Sequence, residues 1–198
     1  MNISLIAEGY TEEAIATRII PFCGHELGNV YGRRGCVFIR QNATKFRHLA
    51  TDQTGVLILT DFRDANVICV PEALKEYIYN KLPNPPKTFI CRFAINEIES
   101  WLLADTEGIS SFLRISKSQV PHQPENEANP KQTLINLARL SRNKRVCEGI
   151  APTPGHHANV GPEYMSLIRE FISMHWNIET AICNAPSLER CIRRLREI

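Results

Sequence analysis

Residues 55–60 read Gly-Val-Leu-Ile-Leu-Thr. A strand apolar on both faces has to be covered on both faces, which means the middle of a parallel sheet flanked by helices. That one run commits the chain to an α/β layout, and its neighbours follow suit. Residues 2–7 form a short, mostly apolar stretch that Glu8-Gly9-Tyr10-Thr11 interrupts. From Glu12 onward Ile15, Ile19, Ile20 and Phe22 recur near helical spacing, so strand, tight turn and helix are expected in that order. Pro21 should kink or end this helix. Residues 35–39 read as a second strand and 42–51 as a helix with Phe46 and Leu49 inward. Residues 71–82 read as a helix with Leu74, Tyr77 and Ile78 on one side, closed by the turn Pro83-Asn84-Pro85-Pro86. Residues 88–95 read as a further strand, followed by a helix through Trp101, Leu102 and Leu103. Strands alternating with helices imply a doubly wound, mainly parallel sheet with right-handed crossovers.

The alternation stops near Asp105. Beyond it the pattern predicts helices over 108–113, 130–141, 162–175 and 186–198, separated by loops rich in Pro, Gly and Asn at 121–130 and 151–162. The expected organisation is an α/β core over 1–105 with a C-terminal helical extension over 106–198 packed on it as a single structural unit. A chain of 198 residues supports one sizeable core, or a core with a small appendage. At 43% hydrophobic and 22% charged, the composition is that of a folded globular protein. A net charge of +2 makes no case for a strongly basic nucleic-acid binder, so local clusters must carry any such argument. The seven cysteines are odd in number, scattered, and form no C-x-x-C pair, which speaks against a zinc site. Several lie in apolar runs and are expected as small buried hydrophobes, a usage that fits the cytoplasm. The first residues carry no basic start, and no apolar stretch approaches the ~20 residues that span a bilayer, so no secretory signal and no membrane association are expected.

In an open α/β sheet, ligands bind beyond the carboxyl ends of the strands. The reading places Glu8 there after the first strand, Asp61-Phe62-Arg63-Asp64 after the central one, and Glu97 and Glu99 after the later one. Carboxylates gathered at one edge repel unless they share a proton or a cation. Mg²⁺ takes oxygen ligands, keeps several waters and uses one or two carboxylates. The cluster is therefore a candidate Mg²⁺ or Mn²⁺ site. Other residues have plainer roles. Glu12 and Glu13 sit in the first turn of a helix, where acids suit the dipole. Trp101 reads as core and Asp105 as a helix cap. Arg33, Arg34, Arg40, Lys45 and Arg47 cluster around the second strand, and the first four are candidate phosphate contacts. Lys131, Arg139, Arg142, Lys144 and Arg145 form a second basic group. Arg190, Arg193, Arg194 and Arg196 line the last helix, opposite Leu188, Cys191, Leu195 and Ile198, as a solvated stripe. His156-His157 reads as surface. Neither a G-x-S-x-G elbow nor a P-loop occurs.

Glu8-Gly9-Tyr10-Thr11-Glu12 after a first strand, with an aspartate motif after Val56-Leu57-Ile58-Leu59-Thr60, resembles the Toprim fold of topoisomerases, primases, OLD-type nucleases and recombination proteins. The downstream string Asn96-Glu97-Ile98-Glu99-Ser100-Trp101-Leu102-Leu103-Ala104-Asp105, with Asn129-Pro130-Lys131, resembles a narrower set of bacterial proteins with a Toprim-like core, of the domain of unknown function 4276 type. The first resemblance covers about half of the chain and the second nearly all of it. What it implies is a Toprim-like core in which Glu8 handles acid–base proton transfer and Asp61 binds a divalent metal. One departure is plain: Toprim motifs read D-x-D, whereas Asp61-Phe62-Arg63-Asp64 spaces its aspartates one residue further. The shift moves Asp64 off the face of Asp61 unless the loop bulges, and leaves Glu97 or Glu99 to supply the missing ligand. The expected activity is Mg²⁺-dependent phosphoryl transfer, first of all a nuclease acting on DNA or RNA. By analogy with OLD-type systems the resemblance also implies a separate ATPase subunit as a partner. A non-catalytic binding or assembly module on a degenerate scaffold and a small-molecule phosphatase stand as the alternatives.

Overall fold

The computed structural model describes residues 1–65, 67–153, 155 and 157–198, and of Asp64 the backbone alone. The chain divides into two compact units, Met1–Ile95 with Ser187–Ile198, and Asn96–Pro186. No helix of the described residues is long and apolar enough to cross a membrane.

The first unit is built on a four-stranded sheet of β1 (Asn2–Ala7), β2 (Glu26–Gly32), β3 (Thr54–Asp61) and β4 (Phe89–Ala94), in the order β2-β1-β3-β4. All three ladders are parallel. Residues 55–60 are buried throughout and occupy an inner strand, as their doubly apolar pattern requires. Helix α1 (Tyr10–Phe22) joins β1 to β2, and Ile15, Ile19 and Ile20 are fully buried along it. Pro21 lies one residue short of its end. Helix α3 (Val70–Leu74), continued by a π-helical turn at Lys75–Tyr79, leads from β3 to β4. The two crossovers run in opposite directions across the sheet, so right-handedness puts α1 and α3 on opposite faces. The α3 face holds a core in which Ile6, Ile58 and Phe93 pack with Ile39, Ala73 and Tyr77.

One expectation needs correcting. Residues 35–39 do not form a strand; they lie in helix α2 (Gly35–Asn42), and the second strand is Glu26–Gly32. The true strand sits at the sheet's edge and buries none of its residues fully, so it carries no apolar run to find. A short apolar run such as Cys36-Val37-Phe38-Ile39 fits a helix as well as a strand. Here only Ile39 is buried and Val37 is exposed. The segment expected as a helix over 42–51 continues α2 as a 3-10 helix, Ala43–Leu49.

The second unit is helical: α4 (Glu99–Leu103), α5 (Thr106–Leu113), α6 (Pro130–Arg139), α7 (Lys144–Ile150), α8 (Tyr164–Met174) and α9 (Ile178–Asn184). Trp101 and Phe171 are fully buried in it and Trp176 nearly so. The Trp176 indole N–H donates to the Trp101 carbonyl at 3.1 Å. Asp105 is the cap its sequence suggested: one oxygen accepts from Gly108 N–H at 3.0 Å and the other from Asn177 N–H at 2.7 Å. Helix α10 (Pro186–Arg196) brings the chain back to the first unit. Its Leu188, Cys191, Ile192 and Leu195 are buried, and His25 Nε2 lies 2.7 Å from the Leu195 carbonyl. Cys91 and Cys191 are buried hydrophobes as expected, whereas Cys69 and Cys183 are exposed. His157 is exposed, and His156 lies outside the described residues.

Candidate functional site

The chain leaves β1 toward β2 on one side, while β3 pairs on the other. The carboxyl ends of β1 and β3 therefore flank the point where the winding direction reverses, the place where open α/β sheets bind ligands. Glu8 is the first residue past β1 and Asp61 the last of β3. Glu8 N–H donates to the Leu59 carbonyl at 3.1 Å, which extends the ladder by one residue and fixes the Glu8 backbone. Its side chain turns toward β3. Oε2 accepts a hydrogen bond from the Thr60 hydroxyl and another from Asp61 N–H at 3.1 Å. Thr60 is fully buried, so its hydroxyl is a fixed donor; Glu8 and Asp61 are half-buried. Phe62 N–H bonds the Ala94 carbonyl at 2.8 Å, carrying the pairing past the end of β3. Arg63 opens a 3-10 turn over Arg63–Ala65, and the Asp64 side chain lies outside the described residues.

The turn after β2 is stitched to the same edge. Glycine is required at position 32, where φ is +92° and a Cβ would stand 2.3 Å from the Ala7 carbonyl oxygen. Arg33 N–H donates to that carbonyl at 2.8 Å, and Gly35 N–H donates to the Glu8 carbonyl at 3.1 Å. Arg33 and Arg34 thus enter the edge that holds Glu8. Arg33 Nε lies 3.1 Å from a Glu13 carboxylate oxygen, and its guanidinium stacks 5.7 Å from the centre of the Tyr10 ring. Arg34 stands 5.5 Å over Phe38. Arg40 and Lys45 lie further along: Arg40 pairs with Glu76, and Lys45 Nζ donates to Asn42 at 2.8 Å. Glu12 closes the first turn of α1, its Oε2 accepting Gly9 N–H at 2.9 Å.

Glu97 and Glu99 belong to the second unit. Glu97 is 7% exposed, and its Oε2 accepts Lys131 N–H at 2.9 Å, in the first turn of α6. Glu99 is 1% exposed; its Oε1 accepts the Tyr164 hydroxyl at 2.8 Å and lies 3.0 Å from Lys131 Nζ. The Lys131 ammonium also stands 5.6 Å over the Tyr164 ring. Glu99 Oε2 is buried with no hydrogen-bond partner. Asn129-Pro130-Lys131 was visible in the sequence as a motif, and Pro130 at a helix start suits its missing N–H. Tyr164, 65 residues from Glu99, gave no local signal. Among the described residues no group of three or more His, Cys, Asp or Glu side chains is disposed to hold a metal ion.

A family model described as Domain of unknown function (DUF4276) matches residues 7–150. The chain belongs to this family. The DUF4276 region opens at the end of β1, immediately before Glu8, and runs past Asp61, Glu97, Glu99 and Lys131. Tyr164, α8, α9 and α10 follow it. No curated protein and no solved structure matches the chain.

Proposed function

We propose that this DUF4276 protein is a Toprim-like, Mg²⁺- or Mn²⁺-dependent phosphoryl-transfer enzyme, first of all a nuclease acting on DNA or RNA. The observation that carries the reading is the Glu8 carboxylate, held at the reversal point of the sheet by Thr60 and by the Asp61 backbone. A side chain at such a point that is fixed by donors yet half-buried is placed to exchange a proton with a bound substrate.

The donor set suits a hard cation. Mg²⁺ takes oxygen ligands, keeps several waters, and is commonly held by one or two carboxylates, so Asp61 with one neighbouring carboxylate would suffice without a larger cluster. Bound there, the ion would polarise a phosphodiester and lower the pKa of a coordinated water. Glu8 Oε2 is engaged by Thr60 and Asp61 N–H, and its carboxylate takes and returns the proton. Arg33 and Arg34, at the end of β2, supply positive charge on the same edge for the substrate's phosphates, with Arg40 and Lys45 extending it along α2 and the 3-10 helix. A separate ATPase subunit accompanies this reading as a partner.

A second reading, a non-catalytic module on a degenerate scaffold, is favoured by one observation. Glu97 and Glu99 have partners within their own unit in Lys131 and Tyr164. Mn²⁺ titration separates the two. The enzyme predicts divalent-ion binding that Asp61→Asn abolishes, and Mg²⁺-dependent cleavage of plasmid or single-stranded DNA that Glu8→Gln abolishes while ion binding survives. Wild-type protein that neither binds Mn²⁺ nor cleaves DNA would falsify the reading. Hydrolysis of a phosphate monoester but not of polynucleotides would move it to a phosphatase.

A further inference from the structure

Strand β4 ends the sheet, and no strand of the described residues pairs with its outer edge. The parity of the ladder says which groups face outward. Val56 N–H bonds the Thr88 carbonyl and Phe62 N–H bonds the Ala94 carbonyl, so the even-numbered residues of β4 turn their backbone groups toward β3. The backbone groups of Phe89, Cys91 and Phe93 therefore point away from β3, and of these the Phe89 N–H is already bonded to the Pro86 carbonyl at 2.9 Å. Two clefts run along that edge, of about 520 and 350 Å³, and Cys91, Arg92 and Arg194 line both.

The two sides of the larger cleft differ in chemistry. One is apolar, formed by Val70, Pro71 and Leu74 of α3; the other is predominantly basic, with Arg190, Arg193 and Arg194 of α10 beside Glu197, Arg193 pairing with Glu189 and Arg194 with Glu197. These helices lie on opposite faces of the sheet, since α10 packs beside the end of α1. A strand added to β4 would send alternate side chains to the two faces. It would meet carbon on one and guanidinium on the other.

Two arginines cover the edge in the free protein. Arg92 Nη1 donates to the outward Cys91 carbonyl at 2.9 Å, and Arg194 Nη2 donates to the Lys87 carbonyl at 2.7 Å. Capping an open edge with cations keeps it from pairing indiscriminately. Arg92 Nε is buried with no hydrogen-bond partner. A buried guanidinium N–H without an acceptor is costly, and a carboxylate brought into the cleft would relieve it. The same carboxylate would draw Arg92 off the Cys91 carbonyl and release that carbonyl to an incoming N–H.

We infer that the open edge of β4 is a docking site for an extended segment of a partner protein, added as a fifth strand, in which acidic residues alternate with apolar ones. Backbone pairing supplies affinity in this mode and the alternating side chains supply selectivity. A nucleic acid could meet the arginines but has no peptide groups for the outward backbone of Cys91 and Phe93.

The test uses a fluorescein-labelled peptide of about ten residues, alternating Glu and Val, long enough at roughly 3.3 Å per residue to cover β4. Binding to the full-length protein is followed by fluorescence anisotropy. Saturable binding is expected, weakened at least about tenfold by the paired changes Arg190→Glu and Arg193→Glu, both at exposed positions. A peptide of the same sequence with N-methyl groups on alternate residues should also lose at least about tenfold, because it cannot pair along one edge. Absence of binding overturns the inference. So does equal binding of the N-methylated peptide, or of single-stranded DNA of matched charge competing for the same arginines; either result makes the edge a simple polyanion patch. Circular dichroism of the double variant confirms that its fold is intact, and the peptide arm keeps the test valid if it is not.

Discussion

Replacing Lys131 by Met should unbalance the buried pair in the second unit. Glu99 is 1% exposed, and its Oε1 rests on the Lys131 ammonium at 3.0 Å and the Tyr164 hydroxyl at 2.8 Å, while Oε2 is buried without a partner. Met keeps an unbranched apolar side chain and leaves the backbone N–H bond to Glu97 untouched. What is lost is the countercharge. Breaking a buried pair from one side costs about 3–5 kcal/mol. Lys131 is 42% exposed, so water can fill part of the gap. Discounting for solvent takes the expected loss below that range, to about 2 kcal/mol. Adding Glu99→Gln removes the stranded charge, so the double variant should be more stable than the sum of the single changes by at least about 1 kcal/mol. Urea unfolding followed by tryptophan emission is the assay. Both tryptophans, Trp101 and Trp176, are buried in this unit, so the signal reports its core. A loss below about 0.5 kcal/mol for Lys131→Met, or strict additivity in the cycle, would show that the pair is not what holds Glu99 in place.

Three further outcomes follow from the geometry. Gly32→Ala places a Cβ 2.3 Å from the Ala7 carbonyl at φ +92°, and should cost at least about 2 kcal/mol, read as a lower midpoint in circular-dichroism-monitored unfolding. Trp176→Phe removes the N–H bond to the Trp101 carbonyl along with one ring of a buried side chain, and should cost about 2–3 kcal/mol by the same method. Burial pushes the Cys91 and Cys191 thiols up to about 12 from an ordinary 9.0, so the folded first unit keeps protons that the unfolded chain releases above pH 9.0. Stability from these groups is complete below that pH and declines as pH rises toward 12, by at most about 4 kcal/mol per thiol. Denaturation midpoints across that window should fall less steeply in Cys91→Ala. A midpoint that stays level in the wild type would refute the assignment.

The inner strands announced themselves. Residues 55–60 are apolar on both faces because they are buried on both, and the burial of β3 repeats that pattern. β2 did not, because an edge strand needs no such run. Its Gly28 is there for close approach, with Asn2 Oδ1 2.1 Å from where a Cβ would stand. Glu8 and Asp61 were legible as strand-end residues, since a polar residue directly after an apolar run marks where the chain leaves the sheet. The grip of Thr60 on Glu8 was not, because a threonine closing an apolar strand looks like any other β-branched residue. Nor was the Glu99–Lys131–Tyr164 contact. It joins three helices far apart in sequence, and no periodicity within any one of them encodes which faces meet.

The return of α10 to the sheet unit makes that unit discontinuous, with residues 96–186 inserted into it. During synthesis, β1 to β4 emerge from the ribosome long before the segment that carries Leu188, Cys191 and Leu195. Until then the sheet must wait with part of one face bare, a state that invites chaperones or aggregation. Removing residues 187–198 would recreate that nascent intermediate permanently, so truncation from the C-terminal side should harm a sheet that lies far from it in sequence.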